Sequence, residues 1–134
     1  MSERPFRITG IDRSDYMAKD PNRAIAFYRD VLGLELQSLA PDNDGGEFEL
    51  LDGSTFGLWV GSDTTTPFQP SNGVLFAVDD LEAAVSTLEA RGIKVITRLE
   101  TPVCSMALIH DSEGNIVTLH KRRIAAPRSP RPNE

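Results

Sequence analysis

The sequence DSEGNIVTLH, residues 111–120, holds the turn and the strand from which the fold can be read outward. Asp, Ser, Gly and Asn, which make up four of its first five residues, form tight turns or accept a positive φ. Side chains alternate along the strand that follows, so Ile116, Thr118 and His120 share one face, while Val117 and Leu119 share the other. The turn therefore directs a strand whose one face carries two polar side chains.

The size and composition of the chain are those of one soluble globular domain. It has 134 residues, of which 40% are hydrophobic and 25% charged. The net charge of −6 disfavours a nucleic-acid partner. The single cysteine, Cys104, excludes an internal disulfide and favours a cytoplasmic location. No apolar run approaches the ~20 residues of a membrane span, and no signal peptide is recognisable, so no membrane partner is expected.

The first half of the chain predicts a strand, a helix and three further strands. A broken alternation predicts the first strand over residues 8–17. Asp20-Pro21 combines an N-cap with the preferred first helical residue, and Gly33 is placed to end the helix. The helix has one apolar face, formed by Ala24, Phe27, Tyr28, Val31 and Leu32. The further strands are predicted at 34–39, 47–51 and 55–60, with a loop at 42–46 and an Asp52-Gly53 hairpin turn between the last two.

The second half repeats this order after a stretch rich in Thr, Ser, Pro and Gly at residues 61–72. Its strands are predicted at 74–78, 94–97, 104–109 and 116–120, and its helix begins at Asp79-Asp80, packs through Leu81, Ala84, Val85 and Leu88, and ends at Gly92. The halves superpose at an offset of about 60 residues, which places Asp20 on Asp80 and Ala24 on Ala84. One helix covers only one face of four strands, so the other face is expected to line a cleft that the two sheets share.

Three motifs in the same order carry a resemblance to a known family. They are AIAFYRDVLGL at residues 24–34, VDDLEAA at 78–84 and DSEGN at 111–115. They resemble the helix exit, the second helix entry and the DPDGN turn of the vicinal oxygen chelate superfamily, which includes glyoxalase I, bleomycin-resistance proteins and extradiol dioxygenases.

The resemblance covers residues 6–122 and implies an α+β fold. Two βαβββ modules, at 6–61 and 73–122, would form a curved mixed sheet around a cleft and be joined by a linker at 62–72. The tail at 123–134 is expected to be mobile.

The resemblance also gives an expectation about metals. Metal-dependent members of that superfamily place four ligands in the cleft, usually His, Gln or Glu, and these align with Arg13, the region of Trp59, Gly73 and Thr118. None of these side chains is an ordinary ligand of a divalent ion. A slip of one residue would bring in Asp12 without repairing the other positions. We therefore expect neither a metal nor another cofactor.

Strand phase predicts instead a pocket for a small organic ligand. Its mixture of apolar, aromatic and polar residues is typical of such sites. The candidates are Arg13, Asp15, Tyr16, Trp59, Leu75, Ala77, Met106, Thr118 and His120. Trp59 would stack on the ligand, and Arg13 or His120 would hold an anionic or polar group. Structural readings stay open: Trp59 can be a core residue, Arg13 a surface residue and His120 a solvated one, and His110 is expected to cap the turn.

Several classes of function stay open. The first is a metal-free binding protein of the resistance or sequestration type, whose ligand is a small apolar or aromatic molecule. The second is an enzyme, either a glyoxalase-like lyase or dioxygenase-like enzyme with displaced ligands, or an acid–base catalyst using His120 and Asp15. An interaction module is the third. No catalytic residue is assigned, and the resemblance implies a homodimer.

Overall fold

The computed structural model of the protein describes residues 5–61 and 66–123 and divides into two compact units, one ending at Gln69 and one starting at Pro70. Each unit contains a four-stranded mixed sheet with one main helix, which confirms the predicted α+β class. The tail beyond Arg123 and residues 62–65 of the predicted linker lie outside the described residues. No helix in the described ranges has the length and apolar character needed to cross a bilayer.

The first unit follows the predicted order of elements. They are β1 (Ser14–Ala18), α1 (Pro21–Ala26), a π-helical turn (Phe27–Val31), β2 (Glu35–Leu39), a 3₁₀ turn (Pro41–Asn43), β3 (Gly45–Glu49) and β4 (Thr55–Val60). The sheet has the order β1-β4-β3-β2, in which β1 is parallel to β4 and the other pairs are antiparallel.

Helix α1 begins where its sequence predicts, and the π-helical turn that continues it ends before Gly33, also as predicted. The Asp20 side chain accepts a hydrogen bond from the Arg23 amide at 3.1 Å, and Gly33 has the positive φ, +75°, that a helix-ending glycine favours. The last turn is wide, since the Leu32 amide reaches the Phe27 carbonyl at 3.2 Å. The helix packs on the sheet through a core of Tyr16, Ala18, Ala24, Ile25, Tyr28, Phe48, Phe56 and Leu58.

The second unit repeats the arrangement of the first. Its elements are β5 (Leu75–Ala77), α2 (Leu81–Ala90), β6 (Thr97–Glu100), β7 (Cys104–His110) and β8 (Ile116–Arg122). The order is β5-β8-β7-β6, and again the first strand is parallel to the last. The Asp80 side chain accepts a hydrogen bond from the Ala83 amide at 3.0 Å, as Asp20 does from Arg23. The core consists mainly of Phe76, Leu81, Val85, Leu88, Ala107, Ile109, Val117 and Leu119.

Two predicted strands begin several residues later in the structure than the sequence predicts, because an apolar pattern alone does not provide a pairing partner. The first strand spans Ser14–Ala18 rather than 8–17, and Ile8 and Ile11 are 87% and 85% exposed. The strand predicted at 94–97 begins only at Thr97, where pairing with Leu108 starts.

The hairpin between β3 and β4 has a longer turn than its sequence predicts. Asp52-Gly53 lies within a five-residue turn, which is closed by hydrogen bonds from the Leu50 amide to the Ser54 carbonyl and from the Gly53 amide to the Leu50 carbonyl, both 2.9 Å. Gly45 and Gly46, which were predicted as loop, belong to β3.

Candidate functional site

Each sheet has one face that packs on its own helix and one that does not, which we call the helix-free face. In the first unit, the register places Asp15 beside Gly57 and Met17 beside Trp59. Tyr16, Phe56 and Leu58 alternate with these residues and are buried against α1. The helix-free face of the first sheet therefore carries Asp15, Met17, Glu47, Gly57 and Trp59.

An ion-pair cluster crosses this face. Arg13 Nε lies 3.1 Å from Asp15 Oδ1, and Arg13 Nη1 donates to Glu47 Oε2. Glu47 Oε1 also lies 3.4 Å from the Ser38 hydroxyl. The hydrogen bond to Glu47, followed by the charge of Asp15, raises the pKa of Arg13. The cluster links the residues next to β1 with those of β3 through the Arg13 guanidinium.

Because Gly57 has no side chain, the cluster can occupy the space above it. A Cβ atom at residue 57 would overlap Asp15 Oδ1 and would lie 3.3 Å from Asp15 Cγ and 3.8 Å from Arg13 Cζ. The strand β4 lies between β1 and β3, so a side chain at this position would overlap Asp15 and would stand between Arg13 and Glu47.

The helix-free face of the second sheet is mostly apolar. The register forms two rows across β5, β8 and β7: one contains Leu75, Thr118 and Leu108, and the next contains Ala77, His120 and Met106. Leu99 extends the second of these rows on β6. Leu75 and Leu99 are 49% and 46% exposed, whereas Thr118 is buried. His110 and Arg122 lie at the ends of the strands on the same face.

The turn at 111–115 is closed by side-chain hydrogen bonds and is bonded to the segment before β5. Asp111 Oδ1 accepts hydrogen bonds from the amides of Glu113 and Asn115 at 2.8 and 2.9 Å, and Asp111 Oδ2 accepts one from Asn115 Nδ2 at 2.9 Å. Asn115 Oδ1 accepts one from the Ser71 amide at 2.7 Å. Asp111, rather than His110, caps the turn, and His110 is exposed.

The predicted site residues fall into three groups. Arg13, Asp15 and Trp59 lie together in the first unit. Leu75, Ala77, Met106, Thr118 and His120 lie together in the second. Tyr16 belongs to neither group: it is 1% exposed and packs edge-on against Phe56 with ring centroids 5.3 Å apart, on the helix side of β1. Since neighbouring strand residues face opposite ways, Asp15 and Tyr16 cannot share a face, and we leave Tyr16 out of the candidate site.

Sequence reasoning missed other residues of these faces. In the first unit they include Met17, Glu47, Glu49 and Gly57, and in the second Leu99 and Leu108. Strand alternation could have found Met17, because it lies two residues from Asp15. Glu47 could be found only from the register of β3 against β4, which depends on the five-residue turn.

The register also relates the two modules position by position. Asp15 pairs with Gly57 as Leu75 pairs with Thr118, and Met17 pairs with Trp59 as Ala77 pairs with His120. The counterpart of Thr118 is therefore Gly57, and that of Trp59 is His120. Within residues 5–61 and 66–123, no group of three or more His, Cys, Asp or Glu side chains is placed to hold a metal ion.

Comparison with solved structures shows the same fold in several proteins. Lactoylglutathione lyase from Agrobacterium tumefaciens is 23% identical, covers 88% of this chain and 96% of its own, and has a TM-score of 0.71. TnmS3, an antibiotic binding protein from a Streptomyces species, is 24% identical, with 87% and 98% coverage and a TM-score of 0.70. A glyoxalase/dioxygenase from Nostoc punctiforme is 13% identical, with 92% and 98% coverage and a TM-score of 0.71.

A search of curated proteins found no significant match. The family model described as Glyoxalase/Bleomycin resistance protein/Dioxygenase superfamily matches residues 10–119, which is most of the chain. With its repeated strand order and the similar structures, this match identifies the chain as a member of the glyoxalase/bleomycin resistance protein/dioxygenase superfamily.

Proposed function

We propose that this protein is a metal-independent binding protein of the resistance or sequestration type. Its ligand is a small apolar or aromatic molecule, bound at the helix-free faces in the cleft that the sequence predicts. The proposal is carried by the chemistry of four positions that the resemblance relates to the ligands of metal-dependent relatives: Arg13, Gly73, Thr118 and a position near Trp59, for which the register of the two modules gives Gly57.

These four residues do not fit a divalent metal. Arg13 is a cation and is already paired with two carboxylates. Gly57 and Gly73 have no side chain, and Thr118 offers a neutral hydroxyl where metal sites use imidazole or carboxylate. Trp59, which the sequence alignment placed nearest to the second position, has no lone pair to donate.

The remaining residues of these faces support an organic ligand. Trp59 and Met17 are neighbours on the first sheet, and Leu75, Leu99 and Met106 lie on the second. Large aromatic and flexible apolar side chains with few polar groups are typical of small-molecule sites. The fold shared with the antibiotic binding protein TnmS3 agrees with such a role.

The enzyme alternative has less support. An acid–base mechanism would use the Asp15 carboxylate, but Arg13 Nε already lies 3.1 Å from its Oδ1, whereas a catalytic base needs its oxygen within hydrogen-bond reach of the substrate proton. A lyase or dioxygenase mechanism with displaced metal ligands would need donors that the aligned positions do not supply.

Trp59 provides the test, because it is the only tryptophan of the chain. A panel of small aromatic and aliphatic compounds is screened by thermal shift and by Trp59 fluorescence, and Zn²⁺, Mn²⁺, Ni²⁺ and Fe²⁺ are tested in parallel by dialysis and metal analysis. We expect organic hits that raise the melting temperature and change the fluorescence, without stoichiometric metal binding. Stoichiometric metal retention that depends on Asp12 or His120 would overturn the proposal.

We further propose a homodimer in the cytoplasm. The exposed apolar residues Phe6, Ile8 and Ile11, which precede the edge strand β1, support an interface between chains.

A further inference from the structure

We infer that the first sheet selects an uncharged hydrogen-bonding group on the ligand, such as an amide or ketone carbonyl, and disfavours a carboxylate or a phosphate. This inference rests on the proposed function and adds the chemical class of the ligand's polar end. The sequence expectation is that Arg13 or His120 holds an anionic or polar group, and the inference narrows this group at Arg13 to an uncharged one.

The charges on this face determine the preference. Arg13 contributes one positive charge, and its two partners, Asp15 and Glu47, contribute two negative ones. Glu49 lies two residues further along β3 on the same face, and it adds a charge of the same sign as the carboxylates. An anion that approaches Arg13 therefore meets a group of side chains whose net charge is negative, and like charges that are brought together weaken binding.

The guanidinium still has a donor to offer. Its Nε and Nη1 are used by Asp15 and Glu47, whereas Nη2 makes no hydrogen bond to any residue in the described part of the chain. The Arg13 side chain is 45% exposed, so Nη2 can reach a ligand oxygen. A neutral carbonyl can accept this hydrogen bond without adding a charge.

Geometry places an aromatic partner within reach of the same ligand. Trp59 lies two residues along β4 from Gly57 and on the same face, so their Cα atoms are about 7 Å apart at the usual strand rise. The Arg13 guanidinium lies next to Gly57, since Arg13 Cζ is 3.8 Å from the place of a Cβ at residue 57. A small molecule with an aromatic ring and a carbonyl can therefore contact Trp59 and Arg13 together. Both side chains are needed in this arrangement, one for the apolar body and one for the polar end.

The experiment compares 2-naphthamide with 2-naphthoate, which share a ring system and differ in charge. Their dissociation constants are measured by calorimetry for the wild type, for Glu47→Gln and for Glu89→Gln. The last variant removes the same charge from an exposed position of α2 and is the control. Thermal melts verify that each variant is folded, and Asp15→Asn serves as a second test of the cluster.

We expect the wild type to bind the amide about five- to tenfold more tightly than the carboxylate. Glu47→Gln and Asp15→Asn should each reduce or reverse this ratio, while Glu89→Gln should leave it unchanged. Equal or tighter binding of the carboxylate by the wild type would overturn the inference and leave the proposed function standing. Binding of neither compound, with no hit in the wider panel, would overturn both.

Discussion

Asn115 is fully buried although its side chain is polar, because both ends of its amide are hydrogen bonded. Nδ2 donates to Asp111, and Oδ1 accepts from the Ser71 amide. A buried polar group that loses its partner costs more than the net value of the hydrogen bond. The turn motif that marks the family in the sequence is therefore a contributor to stability in the structure.

Asn115→Ala should lower the free energy of unfolding by about 2–3 kcal/mol, because it leaves the Ser71 amide and one Asp111 oxygen without these partners. Urea denaturation followed by circular dichroism measures the change. The control is Asn72→Ala, which makes the same substitution at an exposed position. Equal effects of the two substitutions would contradict the role assigned to Asn115.

Two glycines of the first sheet differ in what a methyl group would meet. At Gly45 a Cβ would overlap the backbone carbonyl of Leu58, which cannot move without breaking the ladder between β3 and β4. At Gly57 it would overlap Asp15 Oδ1, which is the end of a flexible side chain.

We therefore expect Gly45→Ala to destabilise the protein by about 2–3 kcal/mol and Gly57→Ala by less than about 1 kcal/mol. Gly57→Ala should nevertheless separate Asp15 from Arg13. A double-mutant cycle with Asp15→Asn detects this separation, since Asp15→Asn should change stability less in the Gly57→Ala background than in the wild type. An unchanged effect of Asp15→Asn would show that the methyl group is accommodated elsewhere.

Among the elements, the two helices begin in the same way. Asp20 and Asp80 each accept a hydrogen bond from the amide three residues later. Asp79, which precedes the second cap, is exposed and outside the helix. The sequence pattern Asp79-Asp80 does not by itself show which residue is the cap, and the structure assigns it to Asp80.

Asp80→Ala should cost about 1 kcal/mol of stability through the lost cap. Asp79→Ala removes the same charge one residue earlier and should stay within about 0.5 kcal/mol of the wild type. Thermal and urea unfolding of both variants tests this difference. A larger loss of stability for Asp79→Ala than for Asp80→Ala would indicate that Asp79 is the N-cap and that α2 starts one residue earlier.

At the end of β6, Glu100 is held by side chains of two other segments. A hydrogen bond from the Ser105 hydroxyl at 2.7 Å, and then the charge and hydrogen bond of Arg123, lower the pKa of Glu100. A carboxylate whose pKa is lowered by folding adds stability above its ordinary pKa, and this contribution is lost as the pH falls through the folded-state value.

Glu100→Gln should therefore be less stable than the wild type at pH 7, and the difference should shrink at about pH 3. The side chains of Glu100 and Arg123 are both about half exposed, so the difference in stability is modest and decreases at high salt. The midpoint of urea unfolding at the two pH values measures it, with Glu89→Gln as the control. A difference that grows in acid would have the wrong sign for this mechanism.

Local signals in the sequence predict some elements better than others. The cap of the first helix and the ends of both helices follow from Asp20, Gly33 and Gly92, because a cap depends on a few neighbouring residues, whereas the cap of the second helix follows only to within the pair Asp79-Asp80. The start of β1 does not follow, because Ile8 has the alternation of a strand but pairs with no strand in residues 5–61 and 66–123. Glu47 meets Arg13 only through the register of three strands, so no local pattern could place the two together.

For the molecule as a whole, the repeat is the most informative feature of the sequence. The offset of 60 residues predicts two modules, and the two sheets have the same strand order. In the paired strands of the two modules, Gly57 and Thr118 occupy equivalent positions. The alignment of the sequence motifs alone predicts the region of Trp59 instead of Gly57.

The proposed homodimer is tested on the whole molecule. Sedimentation equilibrium should give about twice the 14.7 kDa mass of the chain. Ile8→Lys and Ile11→Lys together should shift the protein towards the monomer, because they place charges where we propose that apolar residues meet. The control is Leu51→Lys, which changes a fully exposed residue at the tip of the β3–β4 turn. A monomeric wild type would contradict the proposal.

The hydrogen bond between Asn115 and Ser71 has a consequence for how this chain can vary. The backbone of Ser71 makes two hydrogen bonds within its own unit: its amide donates to Asn115 Oδ1, and its carbonyl accepts from the Ile116 amide at 2.9 Å. The number of residues between Ser71 and Leu75 therefore determines which residue of β8 pairs with Leu75. Insertions and deletions that end before Ser71 should leave Leu75 opposite Thr118, whereas a single residue inserted between Ser71 and Leu75 would shift that pairing.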